Sequence, residues 1–125
     1  MCLTISNEFD QIPVVAKEDI FCYKVVEFFD NKYFTYYKGC CVEIGRTYLS
    51  TLVKDSWGDI EEGLHSFTTL NDAKMFLDDE EPEQKQVAII KCIIPTGSVY
   101  YQGIFSIYKA YASDMIKYIE LCNQN

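Results

Sequence analysis

The longest apolar run of the chain lies within residues 86–95 and predicts a buried strand. Lys91 alone interrupts its apolar residues, which are Val87, Ala88, Ile89, Ile90, Cys92, Ile93 and Ile94. A short apolar run that is rich in β-branched residues and ends at a proline, here Pro95, is typical of a strand covered on both faces. We therefore expect residues 86–95 to form the central strand of a sheet, with a turn at Thr96-Gly97.

The segment before this run predicts an amphipathic helix over residues 70–78, packed on the sheet. Thr69 can cap its first turn, while Asp72 lies near the positive end of the helix dipole. The apolar positions share one helical face and are Leu70, Ala73, Phe76 and Leu77. We expect the helix to end in the acidic run of residues 78–82, because acids there oppose the dipole. That run is typical of a solvated loop, with a site for a cation or a basic partner as the alternative.

Earlier in the chain, alternating apolar positions predict a first strand within residues 17–29. Ile20, Cys22, Lys24 and Val26 would then lie on one side of it. Residues 33–37 (YFTYY) predict a short aromatic strand, and further short extended pieces follow it. Residues 54–62 are expected to be a polar connector that leads to a strand at GLHSF.

After the central strand, TGSVYYQG predicts another strand, and residues 104–111 predict a loop or short edge piece. The segment 113–122 fits either a helix capped by Ser113 or a strand. We expect a strand, because a returning strand completes the arrangement. The predicted fold is a single α+β domain over residues 1–125, with a mixed, mostly antiparallel sheet and one or two helices.

Charge and length narrow the range of partners. The chain has 125 residues and a formal net charge of -8. Duplex DNA or RNA is disfavoured, since the chain has no Lys/Arg cluster to offset repulsion from the phosphates. A small phosphorylated ligand needs only local amides and one or two cations. With no apolar span long enough for a bilayer and no signal-peptide pattern, we expect a cytoplasmic protein without a membrane partner.

The cysteines are expected to be reduced thiols. They are Cys2, Cys22, Cys40, Cys41, Cys92 and Cys122, and they include no CxxC pair. With a single His as well, the spacings of a zinc site are missing, and we expect neither a metal nor a cofactor. Removal of Met1 would expose Cys2 as an N-terminal nucleophile, the alternative being a packed or unstructured terminus.

Two further groups are candidates for ligand contacts. His65, the only His, lies beside Ser66 and Thr68, where it can act as a general base or a hydrogen-bonding donor. The alternative is a histidine satisfied by backbone groups within a strand. Tyr100-Tyr101 can stack on a base, or can pack on alternating faces of a strand, one of them inward.

Several segments together resemble a group of short proteins from gut phages and their Bacteroides-type hosts. They are MCLTI, AKEDIFCYKVV, GLHSFTTLNDAK, IIKCIIPTGSVYYQG and YASDMIKYIE, and they cover most of the chain in order. The GLHSF and KCIIPxGxxYYxG motifs are the most specific. The resemblance implies a phage or prophage origin and a role against host defences, and it supplies no biochemical activity.

The order of the segments is also similar to that of ADP-ribosyltransferase folds, which implies a split sheet with a nucleotide-shaped cleft. Those enzymes carry an Arg or His on the first strand, a Ser-Thr-Ser motif before a helix, and a Glu heading a late strand. The matching positions here are Lys24, the segment Ser66-Phe67-Thr68, and Asp114. All three depart from the family pattern, so the resemblance favours the fold over the catalysis.

Taken together, these features predict a non-catalytic binder that sequesters a small nucleotide-like signal in an aromatic-lined cleft. The residues assigned to that cleft are Lys24, His65, Ser66, Thr68, Tyr100, Tyr101 and Asp114. One alternative is an ADP-ribosyltransferase-like or other nucleotide-processing enzyme that uses His65, Ser66 and Cys2. Another is an acidic inhibitor that binds a host defence protein through an exposed aromatic patch.

Overall fold

The computed structural model describes residues 12–36, 38–56, 58–80 and 86–122. Within them the chain forms an α+β domain with one helix and a mostly antiparallel sheet, which confirms the predicted fold class. The helix α1 spans Leu70–Glu80. The strands are β1 (Val14–Val15), β2 (Ile20–Phe29), β3 (Lys32–Thr35), β4 (Cys41–Val42), β5 (Thr47–Leu49), β6 (Val53–Lys54), β7 (Ile60–Glu62), β8 (Leu64–Phe67), β9 (Val87–Ile94), β10 (Val99–Phe105), β11 (Tyr108–Ser113) and β12 (Met115–Leu121).

Strand β9 lies in the middle of the main sheet, as its apolar run predicts. The main path of strands is β1-β10-β11-β8-β2-β9-β12-β5, and β3 and β4 continue from β2. Strand β9 pairs antiparallel with β2 on one side and with β12 on the other. Ile89, Ile90 and Ile94 are fully buried, so both faces of the strand are covered.

The alternation of side chains along β2 divides the core between the two faces of the sheet. Cys22 and Val26 point into one cluster, the first core, whose larger members include Ile90, Ile116 and Tyr118. Val25 points to the other side, into the second core, which also contains Phe67, Phe76, Leu77, Ile89 and Tyr108. Helix α1 therefore covers the second face of the sheet with its apolar side.

Helix α1 begins at the predicted cap and ends within the predicted acidic run, two residues beyond the predicted range 70–78. Thr69 Oγ1 accepts a hydrogen bond from the Asp72 amide at 3.1 Å and donates one to Asp72 Oδ2 at 2.7 Å. The helix continues through Asp78 and Asp79 to Glu80 instead of ending at residue 78. The Tyr108 hydroxyl donates a hydrogen bond to Asp79, which ties the last turn to the sheet. The rest of the predicted acidic run, residues 81 and 82, lies outside the described residues.

Two segments that were expected to connect the strands contain strands themselves. The predicted connector 54–62 contains part of β6 and all of β7, which form a separate two-stranded sheet, and Ile60 is fully buried. The segment 104–111, expected to be a loop or short edge piece, contains the end of β10, a tight turn and the start of β11. Strand β11 is internal, between β10 and β8, because Ala110 and Ala112 are small enough to pack inward.

The other strand predictions hold with adjusted bounds. Strand β2 begins at Ile20 within the predicted 17–29, and β3 covers residues 32–35, while Tyr37 lies outside the described residues. The segment 113–122, open between helix and strand, is β12, with a register shift between Tyr118 and Glu120. Within the described ranges, no helix combines the length and hydrophobicity needed to cross a lipid bilayer.

The described cysteines are free thiols. Cys22 and Cys92 are buried opposite each other on β2 and β9, Cys40 and Cys41 are exposed, and Cys122 is half-buried. Cys2 lies outside the described residues. Among the described residues, no group of three or more His, Cys, Asp or Glu side chains is arranged to hold a metal ion.

Candidate binding cavity

The candidate site lies where one edge of β2 changes partner. Near its start, β2 pairs with β8 through Tyr23 opposite Phe67. From Val26 onward the same edge pairs with β3. Between these two pairings, at Lys24 and Val25, neither strand is bonded to the edge of β2. We call this gap the seam.

A cavity of about 310 Å³ opens at the seam. Its polar or charged lining comes from Lys24, Thr35, Lys38, Ser50, His65 and Ser66, and its aromatic lining from Tyr36, Tyr48, Phe67, Phe76 and Tyr118. Lys38, Cys40, Cys41 and Leu49 also line it and are exposed, so the cavity reaches solvent on their side. The interior combines aromatic rings with a few polar groups, which is typical of small-molecule sites.

Lys24 is the polar residue that reaches the cavity from an apolar row. On β2 it lies between the fully buried Cys22 and Val26, and it faces Ile90 across to β9. Its Nζ donates a hydrogen bond to the His65 carbonyl on β8 at 2.5 Å. The His65 carbonyl lies beyond the point at which β8 stops pairing with β2. The Lys24 ammonium therefore supplies the hydrogen-bond donor that a backbone amide of β2 would supply in a continuous ladder. Lys24 thus bridges the seam.

The ammonium of Lys24 has no carboxylate beside it among the described residues that line the cavity. Burial lowers the pKa of Lys24, opposed by the neighbouring Cys92 and Cys22 thiols and reinforced by the charge of Lys38. Among the described residues that line the cavity, none is Asp or Glu, while two are lysines. In a chain with net charge -8, this is a local region of positive potential.

The backbone carbonyl of His65 is bonded to Lys24 in the cavity, whereas its ring is bonded to the backbone of Gly63. Burial, and next the charge of Lys24, lower the pKa of His65 to about 4, against the opposing effect of the Gly63 and Ile60 carbonyls. The ring is therefore neutral near pH 7. Its Nδ1 lies 3.1 Å from the Gly63 carbonyl, which fixes the proton on Nδ1 as the donor. Nε2 is buried without a hydrogen bond to any described residue.

Ser66 lies next to His65 on β8 and lines the cavity with Lys24. Its Oγ is buried, and no described residue forms a hydrogen bond with it. The hydroxyl lies near the Cys22 thiol and opposes the rise of the Cys22 pKa, which burial nevertheless takes to about 11. The contact does not meet hydrogen-bond geometry, so Ser66 Oγ retains capacity for a ligand.

The four other predicted site residues do not line this cavity. Tyr101 is packed with Ile60, Ala110 and Ala112, and the Nζ of Lys54 lies 5.0 Å from its ring centroid. Strand β10 alternates, so Tyr100 points to the first core, where its ring contacts Tyr111 edge-to-face at 5.6 Å.

Asp114 and Thr68 have backbone partners instead. Asp114 Oδ1 accepts a hydrogen bond from the Val99 amide at 2.9 Å, and the Thr68 amide donates to the Lys109 carbonyl at 3.1 Å. The structure thus brings Lys24, His65 and Ser66 together and separates them from the other predicted residues. Ligand contact by any of the seven stays a prediction.

The lining also includes residues that sequence reasoning did not select. Lys38 and Cys40 come from the loop between β3 and β4, Cys41 begins β4, and Tyr48 and Tyr118 come from β5 and β12. Hydrogen bonds hold the loop against β3, since the Thr35 amide donates to the Cys40 carbonyl at 2.8 Å and the Cys40 amide donates to Thr35 Oγ1 at 2.9 Å. Of the residues selected from the sequence, Lys24, His65 and Ser66 line the cavity.

Comparisons with protein-family models, with curated proteins and with solved structures give no match to this chain.

Proposed function

We propose that the protein binds a small nucleotide-like anion in the seam cavity and releases it unchanged. The observation that carries this proposal is the charge of the cavity. An acidic chain lines its cavity with Lys24 and Lys38 and, among the described lining residues, with no carboxylate. An anion entering there gains two cationic partners and meets no like charge, whereas most of the surface repels it.

The lining suggests how such a ligand is held. Exposed Lys38 meets a phosphate at the mouth, and Lys24 donates to it from inside the cavity. Ser66 Oγ has capacity for a sugar or phosphate oxygen. The rings of Tyr48 and Tyr118, which contact each other edge-to-face at 5.4 Å, offer an apolar surface to a base.

The size of the cavity limits the ligand. About 310 Å³ is near the lower end of the roughly 300–1,000 Å³ that ligand pockets occupy. A mononucleotide or a fragment of one is the matching size class, and a dinucleotide would extend beyond the mouth. If the chain has the phage origin that its motifs imply, a nucleotide signal of host defence is the natural member of this class.

Binding without turnover is favoured over group transfer by the partners of the candidate catalytic groups. The neutral His65 ring donates to a backbone carbonyl, and no described nucleophile is hydrogen-bonded to its Nε2. Asp114, which the resemblance matches to the transferase glutamate, accepts a hydrogen bond from the Val99 amide and does not line the cavity. An acid–base pair for transfer chemistry is therefore missing from this arrangement.

A nucleotide panel with three variants tests the proposal. Thermal shift and isothermal titration are measured with nucleoside mono-, di- and cyclic phosphates for the wild type, Lys24→Met, Lys38→Met and the control Lys109→Met, whose lysine is exposed on β11. We expect one class to bind, with affinity reduced about tenfold or more in the two cavity variants, about 1.4 kcal/mol, and unchanged in the control.

The ligand is then recovered after denaturation and identified by mass spectrometry, and we expect it intact. Absence of binding across the panel, or equal affinity in all four proteins, would contradict the proposal. A product that accumulates with time would replace it with the enzyme alternative. Retained melting temperatures in Lys24→Met and Lys38→Met exclude unfolding as the cause of weaker binding.

A further inference from the structure

The position of Lys24 gives its amine a second property besides hydrogen bonding. The side chain rises from an apolar row of β2, reaches a cavity that opens to solvent, and contacts a backbone carbonyl where an ion pair would be usual. An amine in such surroundings is a nucleophile as soon as it releases its proton. We propose that Lys24 is a reactive amine that captures small aldehydes as an imine within the seam cavity.

The groups around Lys24 ease the loss of its proton, so that the ammonium can release the free amine more readily than an exposed lysine does. Burial lowers its pKa, and the charge of Lys38 acts in the same direction, while the nearby thiols of Cys92, Cys22 and Cys40 act against it. These are the same features, an apolar site with an adjacent cation, that activate lysines for imine chemistry. Lys38, in contrast, is exposed, so the two lysines of one cavity have different chemical roles.

The reaction needs no reagent beyond the aldehyde. The lone pair of Lys24 Nζ attacks the carbonyl carbon, a C–N bond forms, and the carbonyl oxygen takes up the proton that nitrogen loses. The resulting carbinolamine releases water to give the imine, and hydrolysis reverses both steps. The His65 carbonyl, which already accepts a hydrogen bond from Nζ, is positioned to accept one from a protonated imine.

Charge and volume define the class of aldehyde. Lys38 at the mouth attracts an anionic group, and a cavity of about 310 Å³ admits one ring with a short substituent. The matching ligand is a small aromatic or sugar-like aldehyde that carries a phosphate or carboxylate. This inference does not depend on nucleotide binding, since it concerns covalent capture by one amine.

Reductive trapping tests the proposal in the full chain. The protein is incubated with pyridoxal phosphate as the anionic aldehyde probe, the imine is reduced with sodium borohydride, and the labelled lysine is located by digestion and mass spectrometry. We expect Lys24 to be labelled before any exposed lysine at neutral pH. Lys24→Arg, which keeps the cation but cannot form an imine, should lose this label, whereas Lys109→Arg should keep it.

Preferential labelling of exposed lysines, with Lys24 unlabelled or labelled no faster than they are, would overturn the proposal. Site mapping in the wild type decides this even if Lys24→Arg does not fold. A second arm uses benzaldehyde, which lacks the anionic group, and we expect slower labelling of Lys24 with it. Nucleotide binding, measured without an aldehyde, can succeed or fail separately, so the two proposals are distinguished.

Discussion

At the scale of single residues, His65 shows how burial changes the chemistry of an ordinary side chain. The residue is 6% exposed, and its ring donates to the Gly63 carbonyl through Nδ1. A neutral ring suits this position, because protonation would add a second positive charge beside Lys24. The pKa of His65, the clearest candidate base in the sequence, therefore lies below the pH range in which histidines usually exchange protons.

Because His65 is buried as a neutral ring, we expect the free energy of unfolding to decrease as the pH is lowered. The folded pKa of His65 is about 4, below the unfolded value of 6.5, so the unfolded state binds more protons between these pH values. The contribution of His65 to the free energy of unfolding is therefore complete above pH 6.5, the pKa of His65 in the unfolded chain. It is lost progressively as the pH falls toward about 4, the pKa of His65 in the folded protein. Between about pH 7 and pH 5 we expect His65 to account for a loss of about 2 kcal/mol in the free energy of unfolding.

Urea denaturation of the wild type and His65→Gln at both pH values measures this effect. As the chain has only one His, the difference between the two proteins isolates its contribution from that of the carboxylates. A pH dependence that is the same in both proteins would show that protonation of His65 is not coupled to folding.

At the scale of elements, the start of helix α1 depends on one hydroxyl. Thr69 Oγ1 accepts from the Asp72 amide, one of the first-turn donors that have no partner within a helix. We expect Thr69→Ala to lower the free energy of unfolding by about 1 kcal/mol. Thr69→Ser keeps the oxygen and should retain most of the stability in the same urea titration. Equal losses in the two variants would assign the effect to the methyl group instead.

Elements with a strong local signal were predictable, and those defined by distant partners were not. The β-branched run of β9 and the capped helix follow from local chemistry, and both were predicted. The segment 104–111 was predicted as a loop or short edge piece, whereas it contains the turn between β10 and β11, beside which Ile104 and Ile107 are exposed. The residues of β11 that point inward, Ala110 and Ala112, are only weakly hydrophobic, so the sequence pattern does not indicate a buried strand there. Their burial depends on strand β8, which pairs with them.

The site was partly predictable for the same reason. Lys24, His65 and Ser66 were selected from the sequence and line one cavity. The seam depends on two strands, β8 and β3, that share one edge of β2 although they are distant in sequence. No local pattern reports that arrangement, so Lys38 and the aromatic residues of β5 and β12 were missed. Tyr101 was assigned to the site, but the alternation of side chains along β10 points it toward Ile60, Ala110 and Ala112 instead.

At the scale of the whole molecule, four of the five described thiols divide into two classes, with the half-buried Cys122 between them. Cys22 and Cys92 are fully buried, and burial raises the pKa of both, to about 11 for Cys22. Cys40 and Cys41 are exposed at the cavity mouth. In the folded protein we therefore expect a maleimide reagent to modify Cys40 and Cys41 quickly, and Cys22 and Cys92 only after denaturation.

Intact-mass and peptide analysis before and after denaturation provide the measurement. A ligand bound in the cavity should also slow the reaction of Cys40 and Cys41, whereas a ligand bound elsewhere should not. Rapid modification of Cys22 in the native protein would mean that the first core opens more easily than its packing indicates. A mass lower by two units per bridge before alkylation would contradict the prediction of free thiols.

The central position of β9 has a consequence for how the chain reaches its fold. The paired residues of β2 and β9 lie 60 to 74 positions apart in the sequence. Closing so long a loop is slow, and folds dominated by such pairings complete in roughly milliseconds to seconds. On a ribosome that adds about 5–20 residues per second, the apolar face of β2 would wait roughly 3–15 seconds for its partner. During that interval β2 exposes an unpaired strand edge and apolar side chains, which favour aggregation. We therefore expect the yield of folded protein in a cell to depend on chaperones that bind the nascent chain.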